Sequence, residues 1–505
     1  MRRRSTLAAV FFISLIILGY NLGGPGLAET YIDPVARIPA QDEAVYSSTA
    51  LHMARSGGWL TPMFLGRYAF YKPPVLYWAA GASAAVLGGS TWALRLPSLL
   101  AGATVATILF VWMRDAYSLA AAIAGCLLLL SDRTFHVLAR LVLTDMLVTL
   151  CIVVAMFCVF RDPELQRRRS LWLFGAATGA AIMTKSLAGL LPLMMLAGSR
   201  AGIKRFFQVC GVATVVAAPW HVYQLLVHTR WFWAEYVLTE NFTWAVAAPS
   251  QSTQESQFLY YLKRLAVTDP ILGVAALAGI PALVRRRDRL LTVWTGVAVL
   301  ALMAFGYRNT SYLLLLVPPL CLVAAGALRH GGVAAVVGLI AVFRIAMLPY
   351  HTEHPIASIS VLRTYAELHR PNDLVIIDPD DEFVSSTVPM RHVRYGFFET
   401  NPNPVKLPLD FRELGVTVTV DEYNRLGQLQ PSFENRLREF GLPSNEPIAT
   451  VILARTPGEL RSLIAAHPDT DFSLPERFGF PDGHHVVWKT SGGRLYLFSE
   501  TKPIR

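Results

Sequence analysis

Val75-Leu76-Tyr77-Trp78-Ala79-Ala80-Gly81-Ala82-Ser83-Ala84-Ala85-Val86-Leu87 is an unbroken apolar run in a chain that holds longer ones. As an α-helix it reaches about 20 Å at 1.5 Å per residue. The hydrocarbon layer of a bilayer is about 30 Å thick. Its reading decides the fold, because one added crossing moves every later loop to the other side. Its Gly, Ala and Ser content suits close packing on neighbouring helices. The run is therefore read as an interfacial or re-entrant helix, not as a span.

Around it lie approximate apolar runs at 7–23, 94–113, 119–132, 142–160, 171–184, 187–199, 206–226, 265–284, 290–306, 311–328 and 333–350. Basic clusters punctuate them: Arg2–Arg4, Arg114, Arg161 with Arg167–Arg169, Arg200 with Lys204 and Arg205, Arg285–Arg287 with Arg289, and Arg329. Lys and Arg mark cytoplasmic loops. With every cluster inside, about 11 spans (range 10–13) alternate without conflict and the N-terminus is cytoplasmic. Counting 75–87 as a span would put Arg161–Arg169 and Arg285–Arg289 outside. Residues 24–93 and 227–264 then form two outer-face loops, the second rich in the aromatic residues of a membrane–water boundary.

Composition agrees. The chain has 505 residues, 53% hydrophobic and 16% charged, and a mean hydropathy of +0.42. A soluble domain carries about 25% charged residues. From about residue 355 the balance shifts to Asp, Glu, Arg, Asn and Pro, dividing a polytopic domain (1–350) from an outer-face tail (351–505). The tail alternates β-like runs (Leu374–Ile377, Val416–Val420, Ile448–Leu453, Val486–Lys489, Leu495–Phe498) with helical stretches such as Pro457–Ala466, the pattern of a small soluble α/β domain. Met1–Ala28 also fits a signal peptide, but a retained first helix needs no cleavage. The net charge of +10 sits largely in short inter-helix loops, which points to topology and to no nucleic-acid partner. Cys126, Cys151, Cys158, Cys210 and Cys321 all fall in apolar runs, so neither a disulfide framework nor a thiol metal motif is expected.

On this topology the unusual polar residues gather at the outer face. Gln41-Asp42-Glu43-Ala44-Val45-Tyr46 opens a helix in the first loop, and Tyr71-Lys72-Pro73-Pro74 precedes the interfacial run. Arg95, Arg140, Asp145 and Lys185 lie at helix mouths; Glu240 and Asn241 lie in the second loop; Tyr307, Arg308 and Tyr312 lie around the tenth span. Charge near lipid marks a functional site. Arg by paired hydrogen bonds and Lys as a point charge hold phosphate at the headgroup level. A carboxylate beside them deprotonates a hydroxyl, and stabilising a phosphate leaving group is the electrostatic half of the same reaction. Plainer readings stand beside these. Asp42 and Glu43 also suit a helix N-terminus. Lys72, Arg95 and Arg308 also suit snorkelling to headgroups. Arg140, five residues before Asp145, offers it a structural ion pair, and Lys185 is placed to anchor a tight turn. His221, Trp231 and Trp233 read as interfacial packing.

At these residues the chain resembles the GT-C glycosyltransferases of the protein O-mannosyltransferase and aminoarabinose (lipid A) transferase superfamily. The resemblance runs in order through Ile38–Tyr46, Gly57–Pro62, Tyr71–Trp78, Arg95–Gly102, Ala139–Asp145, Met183–Lys185 and Tyr312–Pro319. The ordered set, spanning about residues 35–320, is more specific than any one motif. It implies a bacterial inner-membrane enzyme that moves a sugar from polyprenyl (undecaprenyl) phosphate, with inversion, to a lipid, glycan or protein acceptor at the periplasmic face, membrane lipids surrounding it. Asp42 resembles the catalytic aspartate, with Glu43 beside it, and Asp145 the second acidic residue. Lys72 resembles the donor-phosphate lysine, Arg95 a supporting arginine, and Tyr312 a tyrosine near the phosphate, with Arg308 beside it. Tyr46, Tyr71, Arg140, Lys185, Glu240 and Asn241 are supporting candidates. Two departures bear on specificity. Tyr71 stands where the aminoarabinose transferases have an acidic residue, and Asn241 where they have a histidine. No required metal or other cofactor is expected. The alternative is a transporter or flippase of lipid-linked substrates, which needs charge through the membrane's depth; another is an inactive relative whose tail binds a partner.

Overall fold

The computed structural model describes residues 2–20, 22, 41–64, 67–229, 232–243, 256–305, 308–348, 374–376, 471–473, 484–490 and 493–499. They fall into two units. One comprises residues 1–23, 58–61 and 70–351; the other comprises 24–57, 62–69 and 352–505.

The first unit is helical. It contains α1 (Arg2–Gly19), α3 (Val75–Leu87), α4 (Thr91–Ala116), α5 (Leu119–Ser131), α6 (Arg133–Leu138), α7 (Thr144–Arg161) and α8 (Arg168–Lys185). Next come α9 (Leu191–Met195), α10 (Ile203–Val227), α11 (Gln257–Thr268), α12 (Pro270–Arg286), α13 (Arg289–Ala304), α14 (Val317–Leu328) and α15 (Gly331–Met347). A π-helix spans Phe232–Thr243. Each apolar run read from the sequence overlaps helix among the described residues, 187–199 as short 3-10 and α pieces. Polar caps set several boundaries. Ser118 accepts from Ala121 N to open α5, and Asp132 closes α5 while accepting from Phe135 N (2.7 Å) to open α6. The run at 265–284 is broken: α11 and α12 meet at 109°. There Asp269 caps α12 through Leu272 N (3.0 Å) and Pro270 takes the first helical position, where its missing N–H costs nothing.

By length and composition four helices among the described residues suit a membrane crossing, or five if the bent pair is one span. One of the four, Arg168–Gly198, reverses within itself. Ser186 adopts φ +44°, and Gly189 lies so close to α8 that a Cβ there would sit 2.2 Å from Ile182 N. Arg200 N then donates to Pro163 O (2.8 Å), near the start of α8. The chain has come back, so 187–199 runs antiparallel to 171–184, with Lys185 at the turn.

Four of the six basic clusters, those at 114, 161–169, 200–205 and 285–289, meet at one end of this unit. Arg161 pairs with Asp115 (2.7 Å), Arg286 donates to Ala116 O (2.5 Å), Arg289 to Ala197 O (2.8 Å) and Arg205 to Gln166 (2.8 Å). Asp145 and Lys185 occupy the opposite ends of α7 and α8. The 13-residue α3 is one of the shorter apolar helices, as are α5 and α14. It packs on α4, where Ser83 Oγ donates to Ala93 O (2.5 Å).

In the second unit, α2 (Gln41–Ser56) packs against the hairpin of β1 (Met63–Phe64) and β2 (Arg67–Tyr68). β3 (Leu374–Ile376), β4 (Asp471–Ser473), β5 (His484–Thr490) and β6 (Gly493–Ser499) form a sheet in the order β3-β6-β5-β4. β3 runs parallel to β6 and the other pairs are antiparallel. Three of the five β-like runs are thus strands. Val416–Val420, Ile448–Leu453 and the helical stretch Pro457–Ala466 lie outside the described residues.

Candidate functional site

α2 begins at Gln41, so Asp42 and Glu43 do open a helix. Glu43 and Tyr46 are both buried; the side chain of Asp42 lies outside the description.

Within the helical unit the candidates form two ion pairs. Lys72 Nζ donates to Glu240 Oε2 at 2.6 Å, with side-chain exposures of 22% and 14%. Lys185 Nζ donates to Asp145 Oδ1 at 2.7 Å, with exposures of 17% and 12%. The Lys185 ammonium also lies 4.7 Å from the centre of the Tyr312 ring, within reach of the ring's negative face. The turn explains the second pair, for it ends α8 where its last side chain faces the first turn of α7.

Asp145 therefore pairs across the helical hairpin and not with Arg140. Arg140 is fully buried and donates to Leu18 O and Tyr20 O, both at 2.7 Å. Arg95, also buried, donates to Leu22 O at 2.9 Å. The Arg140 guanidinium satisfies carbonyls at the end of α1, which is also the negative end of its dipole, and that of Arg95 satisfies one three residues beyond it. Arg308 donates to Gln257 Oε1 (3.2 Å) and lies over the Tyr260 ring, so α11 holds it. Tyr71 is half-buried beside Lys72, and Tyr307 lies outside the described residues.

The π-helix ties these parts together. Tyr236 Oη meets His221 Nε2 at 2.7 Å and is hydrogen-bonded to Ser186, the neighbour of Lys185; burial pushes its phenol up to about 12. Its ring stacks on Phe232 with centroids 4.7 Å apart. Asn241 Nδ2 donates to Tyr236 O (2.7 Å). Glu240, four residues after Tyr236, completes the pair with Lys72. A clamp that sequence reading missed holds residues 59–61. Trp78 Nε1 donates to Trp59 O (2.6 Å). Trp220 Nε1 and Gln224 Nε2 donate to Leu60 O (2.8 and 2.6 Å), and Thr61 Oγ1 lies 3.1 Å from His228 Nε2. Burial lowers the His228 imidazole below its usual value. Its signal in the sequence was the Gly-Gly-Trp-Leu-Thr-Pro motif itself, whose backbone supplies the acceptors. Among the described residues no three His, Cys, Asp or Glu side chains gather as metal ligands.

The family model of dolichyl-phosphate-mannose-protein mannosyltransferases matches residues 71–223. An undecaprenyl phosphate-alpha-4-amino-4-deoxy-L-arabinose arabinosyl transferase of Aeromonas salmonicida is 28% identical over 274 residues, 48% of this chain and 47% of that one. Its counterpart in Pectobacterium atrosepticum is 29% identical over 252 residues, 45% and 42% of the two chains. This chain thus spans under half the length of the curated relatives it matches. Among solved structures, ArnT from Cupriavidus metallidurans in the apo state aligns with a TM-score of 0.62 at 17% identity, covering 94% of this chain and 96% of that one. The same protein bound to undecaprenyl phosphate aligns with a TM-score of 0.58 at 19% identity, covering 76% and 83%. At these identities the likeness establishes the fold.

Proposed function

We propose that this chain, a GT-C chain of the protein O-mannosyltransferase and aminoarabinose transferase superfamily, transfers a sugar from a polyprenyl phosphate carrier to an acceptor at the outer face of the bacterial inner membrane. The observation that carries the reading is Lys72. It is a largely desolvated ammonium that already has a carboxylate in contact. An anion seat built from one Lys suits the phosphate of a lipid-linked sugar. The named substrate of the curated relatives, undecaprenyl phosphate-linked 4-amino-4-deoxy-L-arabinose, is the first donor to test.

In this reading about eleven helices cross the membrane, the basic loops are cytoplasmic, and the second unit is periplasmic. Asp42, carried over by resemblance, takes the proton of the acceptor hydroxyl as that oxygen attacks the anomeric carbon. The bond from that carbon to the phosphate oxygen breaks, the configuration inverts, and Lys72 stabilises the departing phosphate. General-base help of this kind is worth roughly 10²–10⁴ in rate. Asp145, fixed by Lys185, is the second acidic group.

Turnover of undecaprenyl-phosphate aminoarabinose and of undecaprenyl-phosphate hexoses by the purified full chain tests this, with lipid A and with protein acceptors. Asp42→Asn is expected to abolish turnover at an unchanged unfolding temperature, and Lys72→Met to raise KM for the donor. Retained turnover in Asp42→Asn removes Asp42 from the base role. Transport of a lipid-linked sugar with no transfer to any acceptor would favour the flippase reading.

A further inference from the structure

Lys72, the cation assigned above to the donor phosphate, is occupied by a carboxylate of the protein itself. Glu240 Oε2 lies 2.6 Å from Lys72 Nζ, and the two residues are 168 positions apart in sequence. Both side chains are mostly out of solvent. A phosphate oxygen reaching Lys72 at hydrogen-bonding distance must share or take the place of that carboxylate oxygen. Two anions crowded on one ammonium repel each other.

Glu240 lies past the anchored part of its helix. Phe232 and Tyr236 anchor the π-helix by burial, stacking and the Tyr236–His221 hydrogen bond. Past that anchor Leu238 and Phe242 are exposed on either side of Glu240. Helices of this type concentrate at functional sites, and thinly packed ends are where local opening is cheapest.

We propose that Glu240 is an internal competitor for the anion seat of Lys72 and so sets the affinity for anionic lipid. The proposal rests on the reading of Lys72 as the donor-phosphate cation. Its use follows from charge. The donor is a phosphodiester with one negative charge. The product is a phosphomonoester, which carries about −1.5 to −2 near pH 7 and is drawn more strongly to the same lysine. A carboxylate that returns to Lys72 weakens the hold on product in particular. Glu240 is thus a release-promoting, affinity-setting residue.

Equilibrium binding of undecaprenyl phosphate to the purified full chain in nanodiscs tests it, with neutral undecaprenol as control. Glu240→Gln and Glu240→Ala are each expected to bind undecaprenyl phosphate about ten-fold tighter, equivalent to about 1.4 kcal/mol, and undecaprenol no better. Lys72→Met is expected to lose that binding, and Glu240→Gln to add nothing in its background. Where removal of the carboxylate costs the fold, Glu240→Asp, which draws the carboxylate back by one methylene, is expected to tighten binding by a smaller factor. Unchanged or weaker binding in the folded Glu240 variants, with Lys72→Met still defective, overturns the role of Glu240 and leaves Lys72 in place. Wild-type affinity in Lys72→Met overturns both.

Discussion

Lys185 faces one carboxylate and one aromatic ring, and its removal separates two roles that sequence alone left joined. With Lys185→Met, Asp145 loses its ammonium partner inside a largely desolvated pocket. Removing one member of a buried pair costs about 3–5 kcal/mol; partial exposure of this pair (17% and 12%) reduces the expectation to about 2 kcal/mol. The expected outcome is a lowered unfolding temperature for Lys185→Met and a partial recovery in Lys185→Met with Asp145→Leu, where no unpaired charge remains. A double-mutant cycle of unfolding free energies in detergent reads this directly; strictly additive single effects would remove the pair from the stability argument. The sequence placed Asp145 and Lys185 at the same end but suggested Arg140 as the partner. Proximity in sequence misled, because Arg140 is committed to the carbonyls that end α1, a demand invisible until α1 is packed. Glu240 was legible as an acid in the second loop. Its contact with Lys72 was not, since nothing local links positions so far apart.

At the scale of elements, helix lengths were readable and close approaches were not. α12 meets α14 at Gly279, where a Cβ would lie 1.9 Å from Val323 O. The obstacle is backbone, so Gly279→Ala must push the helices apart and is expected to destabilise by about 1–3 kcal/mol. Gly296, within α13, has nothing within 4 Å of its would-be Cβ; Gly296→Ala is expected to stabilise by about 0.5–1 kcal/mol through helix propensity. Unfolding temperatures of the two variants should move in opposite directions, and a shift of the same sign in both would contradict the packing. The break at Asp269 did have a signal, Thr-Asp-Pro, an N-cap followed by Pro at the first helical position; hydropathy alone ran through it. The turn from α7 to α8 adds a pH dependence. Burial pushes the Asp162 carboxyl up, but the backbone N–H groups of Arg167 (2.8 Å) and Gln166 (3.1 Å), helped by the Ser170 hydroxyl and the Arg167 charge, outweigh it and leave its pKa lowered. A carboxyl whose folded pKa lies below its unfolded value, about 3.9, adds stability that is complete above that unfolded value and lost as pH falls through the folded one. Asp162→Asn should therefore lower stability at neutral pH and flatten its decline below about pH 4, read by unfolding at a series of pH values. An unchanged acid limb would show that this turn contributes nothing to it.

For the whole chain, one short helix carries the topology. α3 packs on α4, and its reading as an interfacial helix is the condition under which the Arg-rich loops fall on one side. The structure brings those loops together by contact: Arg161 to Asp115, Arg286 to Ala116, Arg289 to Ala197 and Arg205 to Gln166. It also turns the chain at Lys185, so that the two halves of one 31-residue apolar stretch run antiparallel, which the proposed topology takes as two passes. Hydropathy could not decide that count; the Lys in the middle of the stretch was its signal, since an ammonium at mid-membrane is expensive. The parity that results has a direct test. Truncation fusions to a reporter active only in the cytoplasm, made after residues 115, 165, 287 and 330, are expected to be active. Fusions at 60 and 351 are expected to be silent, and a reporter active only in the periplasm should give the complement. A crossing by α3 would silence the fusions at 115, 165 and 287 alike, and a straight pass through Lys185 would silence 287 while leaving 115 and 165 active. Activity at 115 and 165 with silence at 287 would therefore fault the Lys185 reversal alone, and silence at 115, 165 and 287 together would fault α3. In that second case Lys72, at the N-terminal end of α3, and Asp145 would face opposite compartments, and no single lipid headgroup could meet both.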